Sequence, residues 1–193
     1  MRYPLVEVAT ALLFVGVFAR LGFTGQTLGY WLFFSWLLAL SLIDFDTLTL
    51  PNPLTQSGLV LGLLFQGTIA FLNGGSPIEG AMAGVIGAVL GIWLLSLISG
   101  LGSLALGQTA MGAGDSKLAA MMGAWLGWKL LLLSGFLACL LGATVGLLGM
   151  ASGRLSRRQK MPFGPFLALG AAISALWGSS LIDWYVKAFF PAF

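Results

Sequence analysis

The sequence predicts an all-α, polytopic membrane bundle of about seven transmembrane helices, and three observations predict it. The mean hydropathy is +1.00. Hydrophobic residues make up 59% of the 193 residues, and charged residues only 8%. Apolar runs recur along the whole chain at roughly the 18 residues or more that a bilayer-crossing helix needs. A soluble core of this size would leave much of that surface in water. Helices that satisfy their own backbone can bury it in lipid instead. The seven Trp and 28 Gly agree, because Trp anchors at bilayer interfaces and Gly lets membrane helices approach closely.

The spans are read in order as 4–22, 28–46, 54–73, 79–99, 114–128, 130–151 and 162–189. Leu5 to Ala19 continues into further apolar segments without a clear A-x-A site, so it reads as the first span and not as a removable signal peptide. GFTGQT ends that span and DTLTLPNP ends the second. NGGSP and the glycine-rich GLGSLALGQTAMGAG follow, then a tight turn near Gly127-Trp128-Lys129, then SGRLSRRQKMP. Each break carries the Gly, Pro, Asn or charge expected at a helix end. Small-xxx-small pairs at Gly58/Gly62, Gly80/Gly84, Gly87/Gly91, Gly123/Gly127 and Gly142/Gly146 read as helix-packing seams. With no internal repeat, residues 1–193 read as one membrane-embedded domain.

Lys and Arg set the expected orientation. With the N-terminus inside, Arg2, Lys117, Arg154, Arg157, Arg158 and Lys160 are cytoplasmic, while Arg20, Lys129 and Lys187 fall outside. Six against three favours N-in, C-out. The net charge of +3 is thus topology information; no basic patch interleaved with exposed aromatics suggests nucleic acid. RLSRRQK reads as a positive-inside anchor with anionic-lipid contact as the lesser reading. Cys139 is the sole cysteine and reads as a small mid-span apolar filler, so no intrachain disulfide or Cys-based zinc site can form. The absence of His removes Ser-His and Cys-His catalysis and any His-ligated metal.

Six acids remain: Glu7, Asp44, Asp46, Glu79, Asp115 and Asp183. A buried carboxylate costs several kcal/mol unless it is satisfied, so each needs a reason. Asp44 and Asp46 close the second span and Asp115 opens the fifth, all at one membrane face. Asp44 follows an almost unbroken apolar run, so it is expected to face the bundle. Asp46, two residues on, points elsewhere. Gly112 and Gly114 are expected to let the chain turn sharply and bring Asp115 to a helix's first turn. The bland reading of Asp115 is a plain N-cap. Paired with Asp44 it becomes a unit: two close carboxylates cannot both ionise readily, and share a proton. Such a pair supplies a general base for water and a general acid for a leaving amine.

These residues carry a family resemblance. RYPLVE at 2–7, LIDFDTLTLPNPLT at 42–55, MGAGDSKLAAMMGAWLGW at 111–128 and PFGPFLALGA at 162–171 resemble, in that order, the type IV prepilin peptidases, membrane aspartic proteases with a GxGD motif. The resemblance implies Asp44 and Asp115 as the catalytic dyad, Asp46 matching an often acidic but non-catalytic position. It implies prepilin and pseudopilin substrates, cut after a Gly at the cytoplasmic face of a bacterial inner membrane. Proteolysis of this kind needs no cofactor and no metal. Many members also carry two CxxC pairs ahead of the RYPLVE segment and methylate the new N-terminus. Those cysteines are missing here, so the chain reads as trimmed or naturally short, and S-adenosylmethionine enters only if methyl transfer is retained.

Other residues carry two readings each. Lys117 either tunes the dyad and holds the leader or anchors the cytoplasmic face. Glu7 either contacts substrate or pairs with Arg2. Pro51 and Asn52 shape the turn after Asp44, with substrate contact secondary. Pro162, Phe163, Gly164 and Pro165 open the last span, and the resemblance implies a place near the active site. Arg20 reads as snorkelling outward; Glu79, Asp183 and Lys187 read as outer interface charges. Two other functions stay open. An ion- or proton-coupled transporter would use intramembrane acids as relays. A metal-dependent lipid or prenyl transferase would use Asp44 and Asp46 as a D-x-D metal site. A presenilin-like protease ranks low, because no PAL tripeptide stands in the last span.

Overall fold

The computed structural model describes residues 2–106, 112–153 and 161–190. The RLSRRQK anchor and Met111 lie outside them. The described residues form six α-helices and no strand: α1 Arg2–Leu21, α2 Gly25–Thr47, α3 Asn52–Leu72, α4 Pro77–Leu106, α5 Ala113–Ala151 and α6 Gly164–Phe189. Five of them, α2 to α6, are long and apolar enough to cross a membrane.

Local chemistry sets the ends. Thr24 caps α2 by accepting the Thr27 N–H at 3.3 Å, and the Thr27 hydroxyl donates to the Gly22 carbonyl at 2.6 Å. Leu48 terminates α2 in the left-handed region (φ 53°), its N–H donating to the Asp44 carbonyl at 2.8 Å. Pro53 sits in the first turn of α3, where its missing N–H costs nothing.

The expected count of seven helices is not supported, and one residue explains why. No loop separates the fifth and sixth expected spans. Gly127 alone leaves helical geometry (φ 71°, ψ 173°), and α5 runs on to Ala151. A positive φ of this kind suits Gly and strains other residues. The expected tight turn is therefore a single-residue break inside α5. Across it, the Gln66 Nε2 of α3 donates to the Trp125 carbonyl at 2.8 Å, an acceptor near the break that the helix alone leaves short of partners.

Contacts fix the directions. α1 runs antiparallel to α2, with Phe14 stacked on Trp31 and the Trp31 indole N–H donating to the Phe14 carbonyl at 3.0 Å. The Trp36 indole N–H donates to the Leu54 carbonyl at 3.1 Å, and Gly29 faces Phe65, so α2 and α3 are also antiparallel. The N-terminal arm of α5 runs parallel to α3: Met121 packs on Gly58, Trp125 on Gly62, and the Trp125 indole N–H donates to the Gly58 carbonyl at 2.7 Å. α4 lies antiparallel to that arm, backbone against backbone, with Gly87 on Gly123 and Gly91 on Ala119. Past Gly127 the second arm is antiparallel to α6: Gly170 abuts Ser134, and Gly142 abuts Phe163. Both ends of α5 therefore lie at the face where α2 ends and where α3 and α6 begin. Arg20 ties α1 to the far half of α6 through the Leu176 carbonyl (3.3 Å) and the Ser180 hydroxyl (3.4 Å).

The core lies around the first arm of α5. Every residue from Leu118 to Gly127 is buried, the pattern of a helix surrounded on all sides. Phe33 and Phe65 hold Trp125 between them at ring distances of 5.1 and 4.9 Å. Leu97, Leu101 and Leu104 on α4 and Leu12 and Val15 on α1 face outward, as lipid-facing side chains do. Cys139 is exposed on α5 and is not the interior filler expected. Glu79, Asp183 and Lys187 are exposed.

The glycine seams make a direct prediction. A Cβ at Gly87 meets the Gly123 backbone, which cannot swing aside, whereas Gly100 on the same helix has no heavy atom within 4 Å. Gly87→Val is expected to lower stability in detergent by about 1–3 kcal/mol, and more if α4 separates. Gly100→Ala should leave the thermal midpoint unchanged or raise it. Equal losses in the two variants would show that the seam does not hold α4.

Candidate active site

Asp44 reaches the interior because it continues a stripe. Phe33, Leu37, Leu40 and Asp44 recur at i, i+4, i+7 and i+11 on the buried side of α2. The carboxylate is 5% exposed. Asp46 lies about 200° further round the helix and is exposed. The D-x-D pair thus does not converge. Among the described residues, no group of three or more His, Cys, Asp or Glu side chains gathers where a metal ion would sit.

Asp115 stands in the first turn of α5 and is 6% exposed. Gly112 precedes the helix with extended geometry (φ −72°, ψ 146°), and its carbonyl accepts the Asp115 N–H at 3.2 Å. Neither Gly112 nor Gly114 has a positive φ. The expected conformational role of these glycines is therefore corrected to one of clearance, and only at one of them. A Cβ on Gly114 would lie 2.9 Å from the Leu50 Cβ; one on Gly112 would have nothing nearer than 3.8 Å. Leu50, buried in the turn after α2, occupies the space Gly114 leaves. That contact carries the turn at 48–51 up against the start of α5, and with it the end of α2.

Asp44 and Asp115 lie buried in one corner of the bundle, where the turn after α2 packs on the start of α5. The start of α6 closes the site from a third side: the Gly164 N–H donates to Asp44 Oδ2 at 2.8 Å, and this contact is buried. A Cβ on Gly164 would come within 2.6 Å of that oxygen. Lys117 and Asn52 meet at the exposed edge, the ammonium donating to Asn52 Oδ1 at 2.7 Å and joining the starts of α5 and α3. Pro51 shapes the turn, its carbonyl accepting the Thr55 N–H at 3.2 Å. Glu7 is exposed on α1, and no contact among the described residues ties it to the pair. The side chain of Arg2, its expected partner, lies outside the described residues.

Sequence reasoning named the two acids and, by resemblance, set Gly164 near them, but missed Leu50, Gln66 and the bond that Gly164 makes. Leu50 had no signal beyond being apolar in a turn. Gln66 stood out only as an amide inside an apolar span. Gly164 had a readable one. In PFGP, Pro165 has no N–H, and the Phe166 and Leu167 N–H groups both return to the Phe163 carbonyl at 3.1 Å. Gly164 is then the one donor at the start of α6 without a local acceptor.

The chain is similar to known proteins over most of its length. A model of the type IV leader peptidase family matches residues 31–147. A prepilin leader peptidase/N-methyltransferase from Aeromonas hydrophila is 41% identical over 189 residues, covering 97% of this chain and 62% of that protein. One from Pseudomonas aeruginosa is 39% identical over 187 residues, covering 96% and 62%. One from Burkholderia pseudomallei is 40% identical over 180 residues, covering 92% and 55%. The chain thus spans about three fifths of the length of these curated relatives. No solved structure matches it.

The two glycines of GAGD separate cleanly by experiment. Gly114→Ala is expected to push Leu50 out of place and cost about 1–3 kcal/mol in thermal unfolding. Gly112→Ala should stay within about 0.5 kcal/mol of the parent. The reverse order would return the motif to a conformational role.

Proposed function

We propose a function for this chain, which belongs to the type IV leader peptidase family: it is an aspartic endopeptidase that cuts the leader from prepilins or pseudopilins after a Gly, at the cytoplasmic face of a bacterial inner membrane. The observation that carries this reading is the burial of Asp44 and Asp115 in one corner, where α2 ends and α5 and α6 begin, in a chain with no His.

The chemistry follows from that pair. One carboxylate takes a proton from water while the water oxygen attacks the scissile carbonyl carbon. The other, protonated, gives its proton to the departing amine as the C–N bond breaks. One proton then passes between the acids to restore the starting state. This uses no metal and no S-adenosylmethionine. N-methylation, the second activity in the relatives' names, is assigned no step here. The substrate is a basic leader joined to an apolar helix. The helix lies against the lipid-facing bundle, and the leader and its Gly reach the face where α2 ends. Lys117 and Asn52 sit at the rim of that opening and help position the chain to be cut. Residues 1–193 act as one unit in this reading.

Neither alternative draws comparable support. A transferase with an Asp44/Asp46 metal site needs those two acids on one side of α2, and they are not. A transporter would hold its acids near the bilayer midplane, whereas both acids here stand at helix ends.

Asp44→Asn and Asp115→Asn are each expected to cut a prepilin peptide at least a hundredfold more slowly, with unchanged size-exclusion profiles; contributions of order 10²–10⁴ are typical of such groups. Asp46→Asn should retain most of the rate. Normal cutting by both of the first two variants ends the protease reading. Magnesium-dependent, chelator-sensitive turnover would favour the transferase.

A further inference from the structure

We propose that the Gly164 N–H is a positioning group that makes the dyad asymmetric: it holds Asp44 as the ionised member, the one that takes the proton from water, and leaves the shared proton on Asp115. The inference deepens the peptidase reading and rests on it.

Three observations carry it. First, the N–H is committed to Asp44. α6 has no side-chain cap of its own, since Phe163 occupies the cap position. Pro165 offers no N–H, and the next two donors are taken by the Phe163 carbonyl. Asp44, from 120 residues away, thereby serves as the missing cap of α6. An anion suits that place, because unpaired N–H groups and the helix dipole both favour negative charge.

Second, the contact is protected. Gly164 and Asp44 are both buried, so water cannot compete for the bond. An N–H can only donate, and a carboxylate accepts more strongly than a carboxylic acid. Third, the backbone support of Asp115 is of another kind. The Gly112 backbone also reaches its carboxylate, but Gly112 is exposed, whereas Gly164 is buried. The Asp115 N–H is spent on the Gly112 carbonyl. Of two acids sharing one proton, the one with the buried donor keeps its charge.

The geometry also gives each Asp44 oxygen a task. Oδ2 is engaged by α6. Oδ1 accepts no hydrogen bond among the described residues and is the oxygen left to meet water. In the forward step Asp44 Oδ1 gains the proton that water loses, and Asp115 gives its own proton to the leaving amine. Asp44 ends protonated and Asp115 ionised, and the proton returns between them before the next turnover. The absence of a side chain at 164 is part of the device, because any Cβ would meet Oδ2 first.

The test is an amide-to-ester replacement, which deletes one N–H and adds no atom that clashes. The protein is made by cell-free translation into nanodiscs with glycolic acid at position 164. A control carries the hydroxy-acid analogue of leucine at 167, whose N–H bonds only within the start of α6. Both esters remove one hydrogen bond from the same helix turn. The probe is a peptide with a basic leader, a Gly cleavage site and an apolar helix, and rates are normalised to folded protein. The 164 ester is expected to lose about ten- to a hundredfold in kcat with KM unchanged, the effect of one charge-assisted bond. The 167 ester should cut nearly as the parent does. Equal kcat in the two esters, or a change confined to KM, overturns the inference while the peptidase reading stands. The peptidase reading itself fails only if the Asp44→Asn and Asp115→Asn proteins still cut, so the two failures are told apart.

Discussion

The rest of this structure depends on two carboxylates, Asp44 and Asp115, being buried in one corner at the ends of apolar helices. Burying a charge without a partner costs more than any single packing contact returns. Among the described residues, the partner that Asp44 finds is a backbone N–H from α6. That choice constrains three helices at once. α2 must present Asp44 on its packed side, α6 must begin within hydrogen-bond reach, and α5 must bring Asp115 to the same spot. The Leu50–Gly114 contact and the Lys117–Asn52 bond then hold α3 and the turn at 48–51 to the same corner.

Such a corner would be soft if the helices behind it were loosely packed. They are not. α4 lies against the first arm of α5 with little more than backbone between them, at Gly87, Gly91, Ala119 and Gly123. In lipid there is little hydrophobic drive to press helices together, so close approach and main-chain contact must supply the attraction. Trp125 adds a polar anchor: its ring sits between Phe33 and Phe65, and its N–H reaches the Gly58 carbonyl. The arm that carries Asp115 is thus held along its length by α3 and α4, with Phe33 of α2 stacked on Trp125.

Much of this was legible in the residues. The apolar runs located the helices, and the stripe Phe33, Leu37, Leu40, Asp44 distinguishes the buried acid from Asp46 by helical period alone. The small-residue pairs marked the seams. What was not legible depends on distances between segments far apart in the chain. A sequence shows that Gly114 lacks a side chain, but not that Leu50 fills the place. It shows that Gly127 can turn the chain, but not that Gly127 alone leaves helical geometry with no loop between the arms, so seven spans are expected where six helices stand. The Gly164–Asp44 bond joins positions 120 apart, and only the orphaned donor in PFGP hinted at it.

The unequal arms of α5 give the site its depth. The first arm, 113 to 126, has fourteen residues and the second, 128 to 151, has twenty-four. At 1.5 Å per residue these rise about 21 and 36 Å. Both arms return to the same face, so the shorter one starts below the level at which the longer one ends. α6 agrees, since Phe163 beside its start lies against Gly142, and Met161 against Gly146, short of Ala151. Asp115, in the first turn of the shorter arm, therefore stands below the level at which the longer arm ends. The first arm alone is too short to cross a hydrocarbon core of about 30 Å. Gly127 consequently does more than turn the chain: its position along α5 sets the lengths of the two arms, and with them how far the start of the first lies short of the end of the second.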